Sequence, residues 1–366
     1  MISHRKLVSL NNNIVVALSG GVDSAVAALM LSRDHSDISA IFMKNWDEDD
    51  GTEFCNSVQD FADAQRVCDV LKIPLTTINF AHEYWEKVFR ALIRGYEQGI
   101  TPNPDILCNR EIKFGMFLSY AQTKGIPTIA TGHYAALKEV EDQIYLYRGM
   151  DKEKDQSYFL SGVPRQQLRH CKFPLQGLTK TEVRRIAKAA KLPVHNKKDS
   201  TGICFIGKRK FPEFLSRYIN ATRGEIVDSR GTVLGEHEGL PYYTLGQRKG
   251  IGIGGTTNGV EAPWYVVQKL FDSNRLVITQ NESDLMSTTL RACEINWLVN
   301  EPQKYVNCDA VVRYRQRPTP CTFEMEQNSV TVTFTQPQRA TTPGQYVTFY
   351  HGDLCLGSAK ISEVLQ

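Results

Sequence analysis

The segment Ser19–Ser24 (SGGVDS) has the composition of a phosphate-binding loop. It follows Ile14–Leu18, a short continuous apolar run typical of a buried parallel strand, and it opens the helix-like stretch Asp23–Ser32. Paired glycines let backbone N–H groups approach an anion, and a helix N-terminus adds donors. A simple strand-to-helix turn capped by Ser19 or Asp23 is the alternative. The order strand, loop, helix favours nucleotide binding, with Asp23 as an oxygen ligand for Mg²⁺.

Cys108 is a candidate nucleophile. It ends a loop that contains two prolines and immediately precedes a helix-like stretch, Asn109–Lys124. A thiol at a helix N-terminus is more easily deprotonated, and the thiolate is the reactive form. Asp105, three residues earlier, is placed to act as a general base or to orient a substrate. A cysteine that merely caps a helix is the alternative.

Cys204 carries a weaker signal. It lies in a Ser/Thr/Gly-rich turn, and Lys197 and Lys198 upstream would lower the pKa of a nearby thiol. From the residues alone, a small buried cysteine that enters a strand is the favoured interpretation. The nine cysteines include no C-x-x-C pair, and the histidines have no metal-ligand spacing, so neither a zinc site nor an iron–sulfur cluster is expected.

The elements that must position these groups alternate between strands and helices. The expected helices after the first strand are Asp23–Ser32, Ser57–Leu71, Ala81–Arg94 and Asn109–Lys124, and the strands between them are Ile38–Met43, Leu75–Asn79 and Pro127–Thr131. This alternation predicts a doubly wound, mostly parallel α/β sheet with ligands at the carboxyl ends of its strands. A short helix at Phe211 and a glycine-rich, strand-like region follow. Closely spaced β-type runs after about Asp284 predict a small C-terminal barrel. The predicted domains are residues 1–206, 207–283 and 284–366.

Composition excludes few classes of function. Hydrophobic residues make up 42% of the 366 residues, and no apolar run is long enough to cross a bilayer, so a cytoplasmic protein without membrane contact is expected. A net charge of +3 permits an RNA partner without requiring one. Basic clusters occur at GKRK (207–210), GQRKG (246–250) and VRYRQR (312–317). If VRYRQR is a strand, its arginines share one face and could follow a phosphate backbone; a solvated basic surface is the alternative.

Six motifs occur in an order that resembles one enzyme family. They are SGGVDS (Ser19–Ser24), TPNPDILCNREIKF (Thr101–Phe114), TGHYA (Thr131–Ala135), KDQSYFL (Lys154–Leu160), DSTGICFIG (Asp199–Gly207) and YYTLGQRKG (Tyr242–Gly250). The first resembles the pyrophosphate loop of the N-type ATP pyrophosphatases, and the complete set resembles the bacterial tRNA-specific 2-thiouridylases. The resemblance covers nearly the whole chain. Ala25 departs from it, because many relatives carry a second serine there, but the phosphate contacts would remain.

The resemblance implies ATP with Mg²⁺ as cofactors, tRNA as substrate and a persulfide carrier of a sulfur relay as partner. Cys204 would carry the persulfide, and Cys108 would form a disulfide with it as sulfur is released, with Asp105 beside the target base. The implied ATP-binding residues are Ala17, Leu18, Ser19, Gly20, Gly21, Val22, Asp23, Ser24, Met43 and Gly132. The implied tRNA-binding residues are Asn103, Pro104, Asp105, His133, Lys154, Asp155, Gln156, Arg313, Tyr314 and Gln345.

The implied chemistry is adenylation of the uracil C2 oxygen of a wobble uridine, followed by replacement of that oxygen with sulfur. The persulfide either attacks the activated carbon directly or is first cleaved by Cys108 to release sulfide, and the sequence does not separate these routes. Two other classes share parts of the pattern. A ligase with the same phosphate loop and a nitrogen nucleophile would need no cysteine pair, and a non-catalytic RNA-binding protein would use ATP only as a structural ligand.

Overall fold

The computed structural model describes residues 14–47, 57–199, 211–254, 262–300 and 302–365. These residues form two compact units. The first comprises the described residues of 1–85, 106–207 and 353–355, and the second comprises those of 86–105, 208–352 and 356–366. Across the described ranges, no helix is long and apolar enough to cross a bilayer.

The strands of the first unit are β1 (Ile14–Ala17), β2 (Ile38–Lys44), β3 (Leu75–Asn79), β4 (Thr128–Ala130), β5 (Ala135–Val140), β6 (Gln143–Arg148) and β7 (Cys171–Lys172). The later strands are β8 (Gly224–Val227), β9 (Val233–His237), β10 (Tyr265–Leu270), β11 (Arg275–Thr279), β12 (Met286–Trp297), β13 (Tyr305–Val311), β14 (Thr319–Met325), β15 (Ser329–Arg339), β16 (Tyr346–His351) and β17 (Leu354–Leu365).

The α-helices are α1 (Val22–Asp34), α2 (Ser57–Leu71), α3 (Ala81–Tyr84), α4 (Arg90–Glu97), α5 (Pro104–Leu107), α6 (Phe117–Thr123), α7 (Ser157–Leu160), α8 (Arg165–Leu168), α9 (Lys180–Ala189) and α10 (Phe211–Leu215). Two π-helical segments, Trp85–Phe89 and Cys108–Met116, continue α3 and α5, and short 3₁₀ helices lie at Leu240–Tyr242 and Glu282–Leu285.

A parallel sheet with strand order β3-β2-β1-β4-β7 forms the centre of the first unit. All four residues of β1 are buried, as a continuous apolar run predicts for a strand covered on both faces. Buried side chains of β1, α1 and α9 share one core. The predicted doubly wound parallel sheet is confirmed. It brings the ends of β1, β2 and β4, and therefore the loops that follow them, to one edge.

Helix α9 begins at a fixed point beside this edge. Thr179 accepts a hydrogen bond from the N–H of Glu182, while the Glu182 carboxylate accepts one from the N–H of Thr179 at 2.7 Å. This reciprocal capping box satisfies two otherwise unpaired donors at the helix start. Val183 and Ala187 are buried in the core that α9 shares with α1. The first residue of α9, Lys180, is therefore held in a defined position.

The second unit contains two β structures. A four-stranded sheet has the order β10-β11-β8-β9, in which β11 and β8 are parallel and the other pairs antiparallel. The strands β12-β15-β14-β13-β16-β17 close into a barrel, because β12 pairs with both β15 and β17. Alternate side chains of these strands, including those of Leu290, Phe323 and Phe349, fill the barrel core. The central β-rich region and the C-terminal barrel agree with the predicted fold class.

Two local expectations were wrong. The segment VRYRQR does not continue β13, which ends at Val311; residues 312–317 form a turn in which Arg315 has φ +63°. Its arginines therefore do not alternate along a strand. The helix expected from Asn109 instead starts at Pro104, because proline fits the first helical position, where no N–H donor is required. Cys108 thus lies one turn inside a continuous helical segment.

Candidate active site

The phosphate loop is tightly folded at the carboxyl end of β1. Gly20 has φ +75°, and a Cβ on it would lie 2.2 Å from the backbone oxygen of Asp60. The hydroxyl of Ser24 donates to the carbonyl oxygen of Gly21 at 3.1 Å and accepts from the N–H of Ser19 at 3.2 Å. Position 20 requires glycine, because both the backbone conformation and the approach of α2 exclude a side chain.

Helix α1 begins without a side-chain cap. Its N-cap is Gly21, and the earliest helical hydrogen bond runs from the N–H of Ala25 to the carbonyl oxygen of Gly21 at 3.1 Å. The N–H groups of Val22, Asp23 and Ser24 therefore have no partner within the helix. These donors, together with the positive end of the helix dipole, suit a phosphate group.

The loop after β4 lies against the phosphate loop. A Cβ on Gly132 would lie 2.7 Å from both the carbonyl carbon of Asp23 and the amide nitrogen of Ser24. The N–H of Tyr134 donates to Gln156 Oε1 at 3.1 Å, and the N–H of Gln156 donates to the carbonyl oxygen of Tyr134 at 2.8 Å. Gln156 therefore fixes the loop that brings Gly132 against the start of α1.

Asp23 faces a cation from another element. The ammonium of Lys180 lies 2.6 Å from Asp23 Oδ1 and 2.8 Å from Oδ2, and the Tyr134 hydroxyl donates to Oδ1 at 2.7 Å. Burial, followed by the charge of Asp23, raises the pKa of Tyr134, so its phenol stays protonated. A carboxylate that already holds a positive charge against both oxygens has the donor chemistry for a Mg²⁺ ion. Asp23 thus fits the predicted metal-binding role.

A second carboxylate, that of Asp199, also contacts the ammonium of Lys180. Lys154, Lys180 and Arg184 each contact it at 2.8 Å. Burial raises the pKa of Asp199, but the hydrogen bonds from Lys154 and Lys180 outweigh it and lower the pKa to about 2. The carboxylate is therefore ionised at neutral pH. Neither Lys180, Arg184 nor Asp199 was among the predicted site residues, whereas Lys154 was predicted to contact tRNA.

Lys197 ties the phosphate loop to α2. Its ammonium donates to the carbonyl oxygen of Gly20 at 3.0 Å, to Asp60 Oδ1 at 2.7 Å and to Asp63 Oδ2 at 2.5 Å. Asp63 is buried and also pairs with Arg66. Burial raises the pKa of Asp63, and the hydrogen bonds from Lys197 and Arg66 lower it below its usual range. The loop backbone is therefore clamped by an ion-pair cluster in which only Asp63 is buried.

The predicted nucleophile Cys108 is buried, with 8% of its surface exposed. It opens the π-helical segment that follows α5, and Asp105 lies in the first turn of α5 and is half-buried. Because the helix starts at Pro104, the positive end of its dipole lies closer to Asp105 than to Cys108. The neighbouring Asn109 side chain donates to the carbonyl oxygen of Phe159 at 3.0 Å and ties this helix to α7.

His133 and Asp155 are both buried in the first unit. The His133 ring packs near Phe114 and Phe173, and its Nδ1 lies 2.7 Å from Thr131 Oγ1. Burial, with a smaller contribution from the charge of Lys113, holds the pKa of His133 well below its usual value, so the imidazole is neutral.

Asp155 organises the segment around it. Its carboxylate accepts from Arg148 Nε at 3.0 Å, from the N–H of Gly149 at 2.9 Å, and from both the N–H and the hydroxyl of Ser157 at 3.1 and 2.9 Å. Both oxygens therefore have partners within the chain. This arrangement holds the turn that carries Lys154 and Gln156.

Two predicted tRNA-binding residues, Arg313 and Gln345, line a cavity in the second unit, and a third, Asn103, bonds to Gln345. The Gln345 amide accepts from Asn103 Nδ2 at 3.1 Å and donates to the carbonyl oxygen of Thr101 at 2.8 Å. The cavity has a volume of about 410 Å³ and is lined by Thr101, Thr244, Leu245, Gly246, Gln247, Arg313, Thr342 and Gln345. The Thr101 hydroxyl is buried and has no hydrogen-bond partner in the part of the chain that the structure describes.

The structure therefore brings together only part of the predicted site. The phosphate loop, Gly132 and Lys154 lie in one connected group, and Ala17, Leu18 and Met43 lie at the ends of β1 and β2 in the same unit. Asn103, Arg313 and Gln345 form the cavity group of the second unit, and Tyr314 lies in the turn after β13. Cys204 lies outside the described residues. In the described ranges, no cluster of three or more His, Cys, Asp or Glu side chains could hold a metal ion.

These features define a class of protein: an α/β domain with a glycine-containing loop between its first strand and first helix, followed by two β-rich regions. Residues 12–208 match the family described as the tRNA methyl transferase HUP domain. Residues 212–280 match the tRNA methyl transferase PRC-barrel domain, and residues 287–361 match the Aminomethyltransferase beta-barrel domain.

Full-length relatives identify the family more closely. Proteins named tRNA-specific 2-thiouridylase MnmA from Francisella philomiragia and Hahella chejuensis are each 50% identical to the chain, over 96% and 97% of it and 99% of their own length. The chain belongs to the tRNA-specific 2-thiouridylase family. Among solved structures, an NMN synthetase from Francisella tularensis covers 52% of the chain and 66% of its own length at 21% identity, with a TM-score of 0.33. An NH3-dependent NAD synthetase from Campylobacter jejuni covers 52% of the chain and 69% of its own length at 20% identity, with a TM-score of 0.32.

Proposed function

We propose that the chain catalyses ATP-dependent 2-thiolation of the wobble uridine of tRNA. The names of its half-identical relatives support tRNA as the substrate and 2-thiouridine as the product. The observation that carries the ATP-dependent part is the phosphate loop, in which Gly20 packs against α2 and α1 starts with uncapped N–H groups beside Asp23. A loop of this geometry suits a polyphosphate anion.

The first step would be adenylation of the uracil C2 oxygen. The loop amides and the hydroxyls of Ser19 and Ser24 would hold the phosphates of ATP, and Gly132 leaves room beside them. Asp23 would hold Mg²⁺, which when bound neutralises developing charge on the phosphates. Attack of the C2 oxygen on the α-phosphorus forms a new P–O bond and breaks the bond to pyrophosphate. The carbonyl oxygen, a poor leaving group, thereby becomes the readily displaced oxygen of AMP.

The second step would transfer sulfur from a persulfide on Cys204 that a carrier protein supplies. In one route, the terminal sulfur attacks C2, AMP leaves, and the Cys108 thiolate then attacks the Cys204 sulfur to release the thiocarbonyl. In the other route, Cys108 attacks first and liberates sulfide, which displaces AMP. Both routes end with a Cys108–Cys204 disulfide. Oxidation of the two cysteines supplies the two electrons that reduce the transferred sulfur, so an external thiol must reduce the disulfide before the next turnover. Asp105 would orient the base or accept its proton.

Binding of tRNA would use two groups of residues. Asn103, Arg313 and Gln345 line or support the polar cavity of the second unit, and its exposed Arg313 guanidinium suits a phosphate or an unpaired base. Pro104 and Tyr314 would contribute beside them. Lys154, Gln156 and His133 would serve in the first unit, where the buried Asp155 would act by shaping the turn that carries Lys154.

The direct test is mass analysis of nucleosides from tRNA incubated with the protein, Mg·ATP and a sulfide source. The expected product carries sulfur in place of one uridine oxygen and forms only when ATP is present. Because two matching families are described as methyl transferase domains, a parallel incubation with S-adenosylmethionine is the essential comparison. A product with the mass of an added methyl group, or ATP-independent thiolation, would contradict the proposal.

Cysteine variants test the sulfur step separately. Cys108→Ser and Cys204→Ser should each abolish thiolation while tRNA affinity stays within about twofold, because the tRNA is held mainly through its phosphates. Cys293→Ser, on β12, removes a half-buried thiol from the barrel and serves as the matched control with normal thiolation. Full turnover by Cys204→Ser would point to a ligase with a nitrogen nucleophile. Absence of tRNA-dependent pyrophosphate release would indicate a binding protein without catalysis.

A further inference from the structure

Lys180 occupies the position that a metal ion would take at Asp23. Its ammonium contacts both oxygens of the carboxylate, at 2.6 and 2.8 Å, and only 12% of the lysine side chain is exposed. Asp23 is more accessible, with 33% of its side chain exposed. Since an ammonium in contact with both oxygens leaves no room for a divalent ion on the same face, Lys180 and a metal must compete for Asp23.

The same lysine has a second anchor that survives such competition. Its ammonium also lies 2.8 Å from Asp199 Oδ1, and Asp199 is held in place by Lys154 and Arg184. Loss of the contact with Asp23 would therefore leave the ammonium paired. When the Lys180 ammonium loses Asp23 and keeps Asp199, the free-energy cost is smaller than that of leaving a partly buried ammonium without any partner, because the carboxylate of Asp199 stays ionised beside it.

The start of α9 restricts where Lys180 can move. The capping box at Thr179 and Glu182 fixes the first turn, and the N–H of Lys180 itself donates to Asp151 Oδ2 at 2.8 Å. The backbone of Lys180 is therefore pinned, and only its flexible side chain can shift between the two carboxylates. A surface lysine that met Asp23 by chance would have neither the pinned backbone nor the second acceptor.

We propose that Lys180 is the resident counter-ion of Asp23, that it leaves Asp23 when the metal of Mg·ATP binds, and that Asp199 retains it. Lys180 is thus a positioning residue that keeps Asp23 oriented and closed to metal in the absence of nucleotide. This inference rests on the metal-binding role given to Asp23 in the proposed function. It predicts that metal alone binds weakly, because only the polyphosphate of ATP adds enough attraction to displace the lysine.

Binding of Mn²⁺ without ATP tests the exchange directly. Titration of the full chain with Mn²⁺, followed by the electron paramagnetic resonance of the unbound ion, should show weak binding for the unaltered protein. Lys180→Met should bind Mn²⁺ roughly tenfold more tightly, as expected when one charge-assisted competitor is removed. Lys180→Arg should stay close to the unaltered protein, since a cation still faces Asp23. Lys188→Met, which removes an exposed lysine from the other end of the same helix, is the matched control and should change nothing.

The double variant Asp23→Asn with Lys180→Met locates the ion. It should lose the tighter Mn²⁺ binding, which shows that the gain arises at Asp23. If Lys180→Met does not fold, judged by circular dichroism, Lys180→Gln replaces it in the same titration. An unchanged or weaker Mn²⁺ affinity in folded Lys180→Met or Lys180→Gln overturns the proposal, as does weaker Mg·ATP binding by that variant with unaltered Mn²⁺ binding. Because no tRNA or sulfur donor is used, failure of the proposed thiolation leaves this result interpretable.

Discussion

Replacement of Gly20 by alanine tests the close packing of the phosphate loop on α2. The new Cβ would lie 2.2 Å from the Asp60 carbonyl oxygen and 2.9 Å from its carbonyl carbon, both backbone atoms that cannot rotate away. The loop and α2 must therefore separate, and overpacking of this kind costs about 1–3 kcal/mol. The left-handed conformation of residue 20 adds about 1 kcal/mol when the residue has a side chain.

Gly125 supplies a matched control for the conformational part. It has the same φ of +75°, but a Cβ on it would meet no atom within 4 Å. Gly125→Ala should therefore lower the free energy of unfolding by only about 1 kcal/mol, and ATP binding should be unchanged. Gly20→Ala should lower it by about 2–4 kcal/mol and weaken Mg·ATP binding at least roughly tenfold, because the N–H groups of the loop are displaced.

Urea denaturation and equilibrium dialysis with labelled ATP measure the two quantities on both variants. The two variants should differ in stability and in ATP affinity, rather than share a common loss. If Gly20→Ala and Gly125→Ala have the same stability and both bind ATP normally, the contact with α2 has no energetic weight and the loop geometry is wrong.

Three other perturbations test separate parts of the site. Asp23→Asn should reduce tRNA-dependent pyrophosphate release by roughly a hundredfold while the circular dichroism spectrum is preserved, and normal release would exclude a metal role. Folding lowers the pKa of Asp199 from 3.8 to about 2, so the stability that its carboxylate contributes is present above pH 4 and is lost as pH falls towards 2. In Asp199→Asn, the free energy of unfolding measured between pH 4 and pH 2 should lack this loss. Affinity for tRNA should fall steeply with salt, and Arg313→Gln should lower that slope by about one ion; a flat salt dependence would mean that the basic clusters are only surface.

The fold class was predictable because its signals are local. The run Ile14–Leu18 is apolar without interruption, and β1 occupies Ile14–Ala17. The segment Ser57–Leu71 has a helical period, and α2 spans the same residues. The alternating arginines of VRYRQR predicted a strand, but Arg315 has a left-handed backbone conformation and the segment is not a strand. The β-type runs that predicted the barrel began only at Cys308 and so omitted β12, whose pairing with both β15 and β17 closes the barrel. The alternation of β12 is weak, and its partners lie far along the chain.

The candidate site was predictable only where a motif is continuous in sequence. SGGVDS places the phosphate loop by its glycines and its strand, whereas the ion pair between Lys180 and Asp23 joins residues 157 positions apart. The pattern Thr179–Glu182 identifies a helix start, and nothing in it indicates which carboxylate the next lysine will meet. Pairing of charges across a fold is a property of the packed sheet and helices, so no single segment encodes it.

The phosphate loop lacks the lysine that accompanies the glycines of the common nucleotide loop, yet it does not lack positive charge. Lys197 reaches its backbone at Gly20, and Lys180 reaches its carboxylate at Asp23, each from an element that packs against the loop only after folding. A lysine within the loop would move together with the loop backbone and with any phosphate bound to it. Lysines supplied from outside are held by carboxylates of their own, Asp60 and Asp63 for one and Asp199 for the other, so each ammonium keeps a partner if its contact with the loop is lost.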